Sequence, residues 1–207
     1  MFKISISGKA GAGKNTFANL LCDAIRSNIL NTNKKYSFGP TWHKSVKMIA
    51  FADPIKKMVL TAYPHLPKKY LYGPSHYRNN EIPGTLINGK AVTVRDALIN
   101  IGNMCRASMP NIWVQNFDLA FNKLKVDDVN IIIVPDLRFK NEFNYLKEMK
   151  FFQIRIISNH SNNINDISET DQDSIKNSEF DYVVYNTSTI DSLKNEADYI
   201  AQVLLRK

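Results

Sequence analysis

A glycine-rich turn that ends in a lysine constrains the fold of this chain more than any other stretch. Residues 2–7 are apolar and predict a short buried strand, and residues 17–27 carry apolar side chains at helical spacing. Gly8, Gly11 and Gly13 lie between them and let the backbone curl with its N–H groups turned inward. The helix that follows directs the positive end of its dipole at the same point. The junction therefore predicts a cradle for a phosphate group.

Residues 8–16, here called the phosphate loop, follow the nucleotide-binding pattern G-x-x-x-x-G-K-[ST] as far as its lysine. Asn15 stands where the pattern has Ser or Thr, and Thr16 comes one position later. Lys14 would add a positive charge at the outer phosphates of a nucleotide. A tight turn without a ligand is the alternative, but the flanking strand and helix favour nucleotide binding. The residues that we expect to bind the phosphates of a nucleotide are Gly8, Lys9, Ala10, Gly11, Ala12, Gly13, Lys14, Asn15 and Thr16.

Apolar runs alternate with amphipathic segments along the chain, as in a parallel sheet with right-handed helical crossovers. The predicted fold is therefore α/β, a three-layer P-loop NTPase fold with a five-stranded parallel sheet and helices on both faces. Ligands of such sheets bind beyond the carboxyl ends of the strands. The sequence predicts strands at residues 2–7, 46–51, 129–134, 152–157 and 182–185, and helices at 17–27, 54–62, 93–107, 110–125, 139–149 and 190–205.

The length of 207 residues fits one large domain, or a core with one insertion. Proline and glycine break residues 63–84 repeatedly, so we predict an acceptor-site insertion at about 63–125 that is mostly helical after this irregular start. Asn88 and Gly89 mark a tight turn inside it, such as that of a small hairpin. The long Asn-, Ser- and Asp-rich stretch at about 158–181 predicts a lid-like loop.

Composition restricts the partners. The net charge is +8 although residues 158–207 are acidic, so the basic body suits anionic ligands, either nucleotides or nucleic acid. The lysines are scattered, which gives little support to a nucleic-acid surface. No apolar run approaches the ~20 residues of a membrane span. Cys22 and Cys105 lack C-x-x-C spacing, so we expect buried thiols in a reducing cytoplasm, and the four histidines lack metal-ligand spacing.

Two aspartates follow predicted strands, at the edge of the sheet where ligands bind. Asp136 ends an aliphatic run, and beside a phosphate loop such an acid holds Mg²⁺ directly or through water. Asp53 precedes Pro54, and this context fits a helix N-cap alone as well as a cap that also contacts a ligand. The predicted Mg²⁺ ligands are Asn15, Thr16 and Asp136.

Arginine holds phosphates best because its planar fork binds two oxygens at once. Arg138 lies two residues beyond Asp136 and is the best placed of four candidates. Arg95 and Arg106 are eleven residues apart on one predicted helix and therefore share a face, and Arg78 lies in the irregular stretch. We expect at least one of the four to be only a solvated charge.

Taken together, these residues resemble the phage-type deoxynucleoside monophosphate kinases. The resemblance rests on the phosphate loop, where the family usually ends in Gly-Lys-Asp-Thr, and on DLRFKNE at 136–142, a stretch typically Asp-Val-Arg-Phe-x-Asn-Glu. The likeness covers nearly the whole chain. Further pieces follow in the family's order: FADPIK at 51–56, RDAL at 95–98, NIWV at 111–114, SET at 168–170 and DYVVYN at 181–186.

The resemblance implies transfer of the γ-phosphoryl group of ATP to a deoxynucleoside 5′-monophosphate, with Mg²⁺, in the cytoplasm of a host if the chain is phage-encoded. Lys14, Arg138, Arg106 and Arg95 are then the catalytic candidates, which neutralise charge and clamp the phosphates. Asn15 departs from the family's Asp and offers an amide oxygen without the negative charge. The candidate substrate-binding residues are Asp53, Lys56, Arg78, Arg95, Trp113 and Arg138, although the helical spacing of Trp113, Phe117 and Phe121 favours a core stripe.

Two other functions fit parts of the sequence. A P-loop kinase of another small metabolite would share the ATP site but not the acceptor site. A nucleotide-dependent nucleic-acid-binding protein would use the basic body, although no RNA-binding signature is visible. We expect no stable nucleic-acid partner and no membrane association, and a homodimer is the commonest oligomer for a soluble chain. The sequence leaves the preferred nucleobase open.

Overall fold

The computed structural model describes residues 1–32, 46–126, 129–159 and 167–205. These residues form two compact units. The first unit contains Met1–Ala50 and Asp118–Lys207, and the second contains Phe51–Phe117. The predicted insertion at about 63–125 overlaps the second unit over residues 63–117. Residues 160–166 of the predicted lid-like loop lie outside the described residues.

The first unit is built on a five-stranded parallel sheet with the strand order β2-β5-β1-β6-β7. This confirms the predicted parallel α/β sheet, except that β2 has three residues where the sequence predicted six. The strand order reverses at β1, with β5 and β2 on one side and β6 and β7 on the other, and ligands of open α/β sheets bind at such a reversal. The strands are β1 (Phe2–Gly8), β2 (Val46–Met48), β5 (Ile131–Leu137), β6 (Phe152–Ile157) and β7 (Tyr182–Tyr185).

One face of this sheet is apolar. It presents Ile4 and Ile6 of β1 and Ile154 of β6, and all three are buried in one core cluster of the first unit. The helices that cover it pack against each other through the apolar stripes that the sequence predicted. Each fully buried aliphatic side chain there contributes about 1.5–3 kcal/mol to folding. The two helices are α1 (Lys14–Thr32) and α8 (Ile190–Leu205).

The opposite face of the sheet contains polar groups. Gln153 and Arg155 alternate with the isoleucines of β6 and are nonetheless buried. The Gln153 side-chain amide donates to the carbonyl of Phe143, at 3.0 Å, because a buried amide is costly without a partner. Phe143 belongs to α6 (Lys140–Glu148), so helices cover both faces of the sheet.

The second unit has its own core around Val59, Leu71, Ile82 and Val94. Its hairpin turns at Asn88 (φ 51°) and Gly89 (φ 76°), which confirms the predicted tight turn. The helix α5 (Ile112–Val126) begins in this unit and continues into the first. The other elements are α2 (Asp53–Ala62), α3 (Lys69–Tyr72), a 3-10 segment (Ser75–Asn79), β3 (Glu81–Ile87), β4 (Lys90–Thr93) and α4 (Val94–Ser108).

Two local predictions were wrong. Asp53 does not cap α2: Ala52 is the N-cap residue, with helical backbone angles and no side-chain cap, and the Asp53 carboxylate instead binds Lys56. The helix starts one residue early because the amide of Lys56 already bonds to the carbonyl of Ala52, at 2.9 Å. The predicted loop at 158–181 contains a helix, α7 (Ile167–Asp173), which tertiary contacts anchor.

Candidate functional site

The phosphate loop leaves β1 with a backbone that requires glycine. Gly8 (φ 153°), Gly11 (φ 81°) and Gly13 (φ 90°) all have positive φ. A Cβ added at Gly8 would lie 2.7 Å from the carbonyl oxygen of Ile156 on β6. One added at Gly13 would lie 2.7 Å from Nδ2 of Asn186, which itself donates to the carbonyl of Ala12, at 3.1 Å. The loop is therefore tightly fitted to β6 and to the residue that follows β7.

Lys14 is the first residue of α1 and is only 8% exposed. Its ammonium group donates to the backbone carbonyls of Gly8 and Lys9, the latter at 2.7 Å. These two acceptors turn the side chain back over the loop that precedes it. Lys14 thus lies at the amino end of α1, where the helix dipole concentrates positive potential.

The three predicted metal ligands lie on two neighbouring elements. Asn15 and Thr16 are exposed on the first turn of α1, and Asp136 is half-buried on β5. β5 pairs with β1 in parallel, but Val134 lies opposite Ser5 while Leu137 lies opposite Ser7. Pro135 and Asp136 together therefore oppose one residue of β1, which is a β-bulge. Proline, which lacks an N–H group, is tolerated at such a position.

This bulge corrects the sequence prediction at β5. The strand was expected to stop at residue 134 with Asp136 beyond it, but it continues to Leu137, and Asp136 lies within it. Bulges re-aim side chains and are frequent next to active sites.

The chain just after β5 is fixed by a buried carboxylate. Glu142, 2% exposed, accepts hydrogen bonds from the backbone amides of Arg138 and Phe139, both at 3.1 Å. Arg138 is half-buried, one residue beyond the end of β5 and at the same edge of the sheet as the phosphate loop. The next amide, that of Lys140, donates to Asp171 on α7, at 2.6 Å. Side-chain carboxylates thus fix the backbone amides of three consecutive residues, from Arg138 to Lys140.

Sequence reasoning missed the contacts of α7 with the phosphate loop. The side-chain amide of Gln172 donates to the carbonyls of Gly8 and Leu137, at 3.2 and 3.4 Å. Asp173 forms an ion pair with Lys9, at 3.0 Å. No periodicity or spacing in the sequence marks Gln172, since its partners lie far away along the chain and accept through backbone atoms.

The candidate acceptor residues other than Arg138 lie in the second unit, where Asp53 and Lys56 form one cluster with Tyr72. The carboxylate of Asp53 lies 2.9 Å from Nζ of Lys56, and this Nζ lies 5.1 Å from the centre of the Tyr72 ring. Burial, and then the Asp53 carboxylate, raise the pKa of the Tyr72 phenol above its ordinary value. The Tyr72 ring is nevertheless half-exposed, so the cluster offers a charged pair beside an accessible aromatic face.

Arg95 and Arg106 lie on α4, as predicted. Arg95 binds the 3-10 segment, with Nε at 3.1 Å from Oδ1 of Asn79 and Nη2 at 3.4 Å from the carbonyl of Ser75. Arg78 belongs to that segment, and its Nη2 lies 3.4 Å from the carbonyl of Leu71.

Trp113 belongs to the second unit and is buried, with 2% exposure. Its indole N–H donates to the carbonyl of Gly102, at 3.2 Å. Phe117 and Phe121 are buried too, so the helical spacing correctly indicated a core stripe.

The structure brings the predicted residues together in two groups. The phosphate loop, Asp136 and Arg138 share one edge of the sheet in the first unit, whereas the remaining candidates belong to the second unit. Among the residues described, no helix is long and apolar enough to cross a membrane. The chain matches no protein-family model and no curated protein.

Proposed function

We propose that this chain is a kinase that transfers the γ-phosphoryl group of ATP to a deoxynucleoside 5′-monophosphate. The observation that carries the proposal is the buried ammonium group of Lys14, folded over a loop with three positive-φ glycines between β1 and α1. Backbone N–H groups and a helix amino end make such a junction a site for phosphates. The architecture, a five-stranded parallel sheet between helices, agrees with a P-loop fold.

The donor's phosphates would lie in the phosphate loop. Lys14 would exchange its bonds to the carbonyls of Gly8 and Lys9 for phosphate oxygens, where its charge offsets the negative charge that develops in phosphoryl transfer. Arg138, on a backbone fixed by Glu142, would clamp a phosphate in the first unit, and Arg95 and Arg106 are the corresponding candidates of the second unit. Positioning and charge stabilisation account for most catalysis of this reaction, so the protein need supply little covalent chemistry.

The predicted donor set fits Mg²⁺. Asp136 offers a carboxylate, Asn15 an amide oxygen and Thr16 a hydroxyl, and Mg²⁺ in kinases usually takes one or two carboxylates and keeps several waters. Asn15 and Thr16 are exposed on α1, and Asp136 is half-buried at the bulge of the neighbouring strand. When bound, the ion would neutralise part of the charge on the phosphates.

The choice of acceptor rests on the resemblance. The second unit carries the residues that would contact it: Asp53 and Lys56 beside Tyr72, and Arg78 and Arg95 around the 3-10 segment. A charged pair next to a half-exposed ring suits a ligand that has both a polar sugar and a flat base. Buried Trp113 would support this region from the core rather than stack on the base.

The test is a coupled assay of ADP release with Mg-ATP and a panel of deoxynucleoside and ribonucleoside monophosphates. We expect release that depends on at least one deoxynucleoside monophosphate. In Lys14→Ala this rate should fall by about 10²–10³-fold, because a preorganised charge at the reacting phosphates is lost. Lys123→Ala is the matched control, because it also removes one lysine but from the exposed surface of α5. The neighbouring Phe121 packs on Phe151, which precedes β6, so this part of α5 lies at the amino ends of the strands and away from the phosphate loop.

Each outcome bears on a different part of the proposal. Wild-type activity in Lys14→Ala would overturn the role of the phosphate loop. Release with another small metabolite but with no nucleoside monophosphate would keep the kinase and overturn the acceptor. Salt-sensitive binding of single-stranded DNA, without any phosphorylated mononucleotide, would favour the nucleic-acid-binding alternative.

A further inference from the structure

Three consecutive residues of α7 contact three parts of the edge of the sheet. Asp171 accepts from the amide of Lys140, at the start of α6. The Gln172 side chain reaches the ends of β1 and β5, and Asp173 pairs with Lys9 in the phosphate loop. α7 thus ties the phosphate loop to the end of the strand that carries Asp136.

Gln172 is the buried member of this set, with 0% exposure. Both of its close partners, the carbonyls of Gly8 and Leu137, are acceptors, so the amide nitrogen must face them. Its Oε1 has no hydrogen-bond partner within the described part of the chain. The buried guanidinium of Arg155 in turn donates to the backbone carbonyl of Gln172, at 3.3 Å, and fixes its place. Burying Oε1 without a hydrogen-bond partner costs stability. The conformation of the Gln172 side chain therefore points to a function other than stability.

Within the described residues, the carbonyl oxygen of Gly8 accepts from two side-chain donors, the Lys14 ammonium group and the Gln172 amide. Gly8 is buried, so this oxygen depends on donors from the protein. Given the proposed function, on which this inference rests, Lys14 leaves that oxygen when it turns to a phosphate.

We propose that Gln172 is a positioning residue that keeps the Gly8 carbonyl hydrogen-bonded when Lys14 moves to a nucleotide phosphate. With Gln172 present, the movement of Lys14 removes one of two bonds from that oxygen. Without it, the same movement leaves a buried carbonyl unsatisfied, and the cost of this falls on the nucleotide-bound state alone. Gln172 therefore raises nucleotide affinity without touching the nucleotide.

The test compares the dissociation constant of Mg-ADP, measured by titration calorimetry, in the wild type and in Gln172→Met. Methionine has nearly the same length and no donor. We expect it to weaken binding roughly tenfold, since a buried carbonyl loses its remaining donor. Gln153→Met is the matched control, because it removes a buried amide that donates to Phe143 on α6 and not to the phosphate loop. Its dissociation constant should stay within about twofold of the wild type.

A second measurement needs no nucleotide. In the free protein either donor alone still serves the Gly8 oxygen, so Gln172→Met and Lys14→Met combined should lower Tm by more than the sum of the single variants. The excess should be about 2–4 °C, the shift expected when one buried group becomes unsatisfied in a chain of this size. Gln153→Met combined with Lys14→Met should be additive.

The outcomes separate this inference from the proposed function. Wild-type protein that binds no Mg-ADP overturns both. Wild-type binding with an unchanged constant in Gln172→Met, equal weakening in Gln153→Met, or additive Tm values overturns the positioning role alone. If Gln172→Met does not fold, Gln172→Asn replaces it, because the shorter side chain withdraws the donor by about 1.5 Å, breaks the 3.2 Å hydrogen bond and should weaken binding to a similar extent.

Discussion

Gly13→Ala is predicted to destabilise the protein through one identified collision. The new methyl group would lie 2.7 Å from Nδ2 of Asn186, a distance that real Cβ contacts do not reach, and the backbone would keep φ at 90°. Asn186 must therefore move away and lose its bond to the carbonyl of Ala12, at 3.1 Å. A nucleotide is not needed for this effect, so stability reports it directly.

The expected size follows from two separate costs. A non-glycine residue in the left-handed region costs about 1–2 kcal/mol. Loss of the hydrogen bond from Asn186 to Ala12 costs about 0.5–1.5 kcal/mol. Gly13→Ala should thus lower the free energy of unfolding by roughly 1.5–3.5 kcal/mol, measured by urea titration with far-UV circular dichroism.

Two further variants separate these costs. Gly84→Ala has a similar backbone (φ 72°), but its Cβ would meet no described atom within 4 Å, so it should show only the backbone cost. Asn186→Ala removes the hydrogen bond to Ala12, and it also removes the side chain that the new methyl group would meet. The double variant with Gly13→Ala should therefore have almost the same free energy of unfolding as Gly13→Ala alone. The reasoning is refuted if Gly13→Ala costs no more than Gly84→Ala, or if the cost of Asn186→Ala adds in full.

Two more predictions concern groups away from the phosphate loop. Burial, and then a 2.5 Å hydrogen bond to Asp118, raise the pKa of Tyr145 above its ordinary 10.0. The folded state therefore holds the phenol proton more tightly than the unfolded chain does. The stability that this hydrogen bond contributes is present below pH 10 and is lost as the pH rises further. Tyr145→Phe should lower the free energy of unfolding by about 1 kcal/mol at neutral pH and should reduce the loss of stability at alkaline pH. Burial also raises the pKa of the Cys22 thiol, so iodoacetamide should alkylate half-buried Cys105 first, as peptide mass spectrometry would reveal, and faster labelling of Cys22 would contradict its burial.

The sequence predicted the sheet well because its strands are encoded locally. The aliphatic run of β5 is buried on both faces, and the bounds of β6 and β7 agree with the prediction to the residue. α8 also starts and stops where its apolar stripe does. In each of these elements, local propensity and tertiary burial favour the same structure.

The errors arose where a distant contact decided the local structure. The bulge at Pro135 and Asp136 exists only relative to the register of β1, which the sequence of β5 alone does not contain. Asp53 is a good capping residue, but pairing with Lys56 leaves the cap to Ala52. Gln172 lies in a stretch whose composition favours a loop, and only contacts with strands far away in sequence reveal its place.

The central position of β1 has a consequence for how the chain folds. Of the described strands, β1 is synthesised before the others, but Phe2 pairs with Ile131, so the neighbouring strand leaves the ribosome after about 130 further residues, or roughly 6–26 s at 5–20 residues per second. The second unit, residues 51–117, is contiguous and has its own core, so it can form during that interval. β1 and the phosphate loop must therefore wait in an unpaired state, and strand pairing across this long separation is expected to limit the rate of folding.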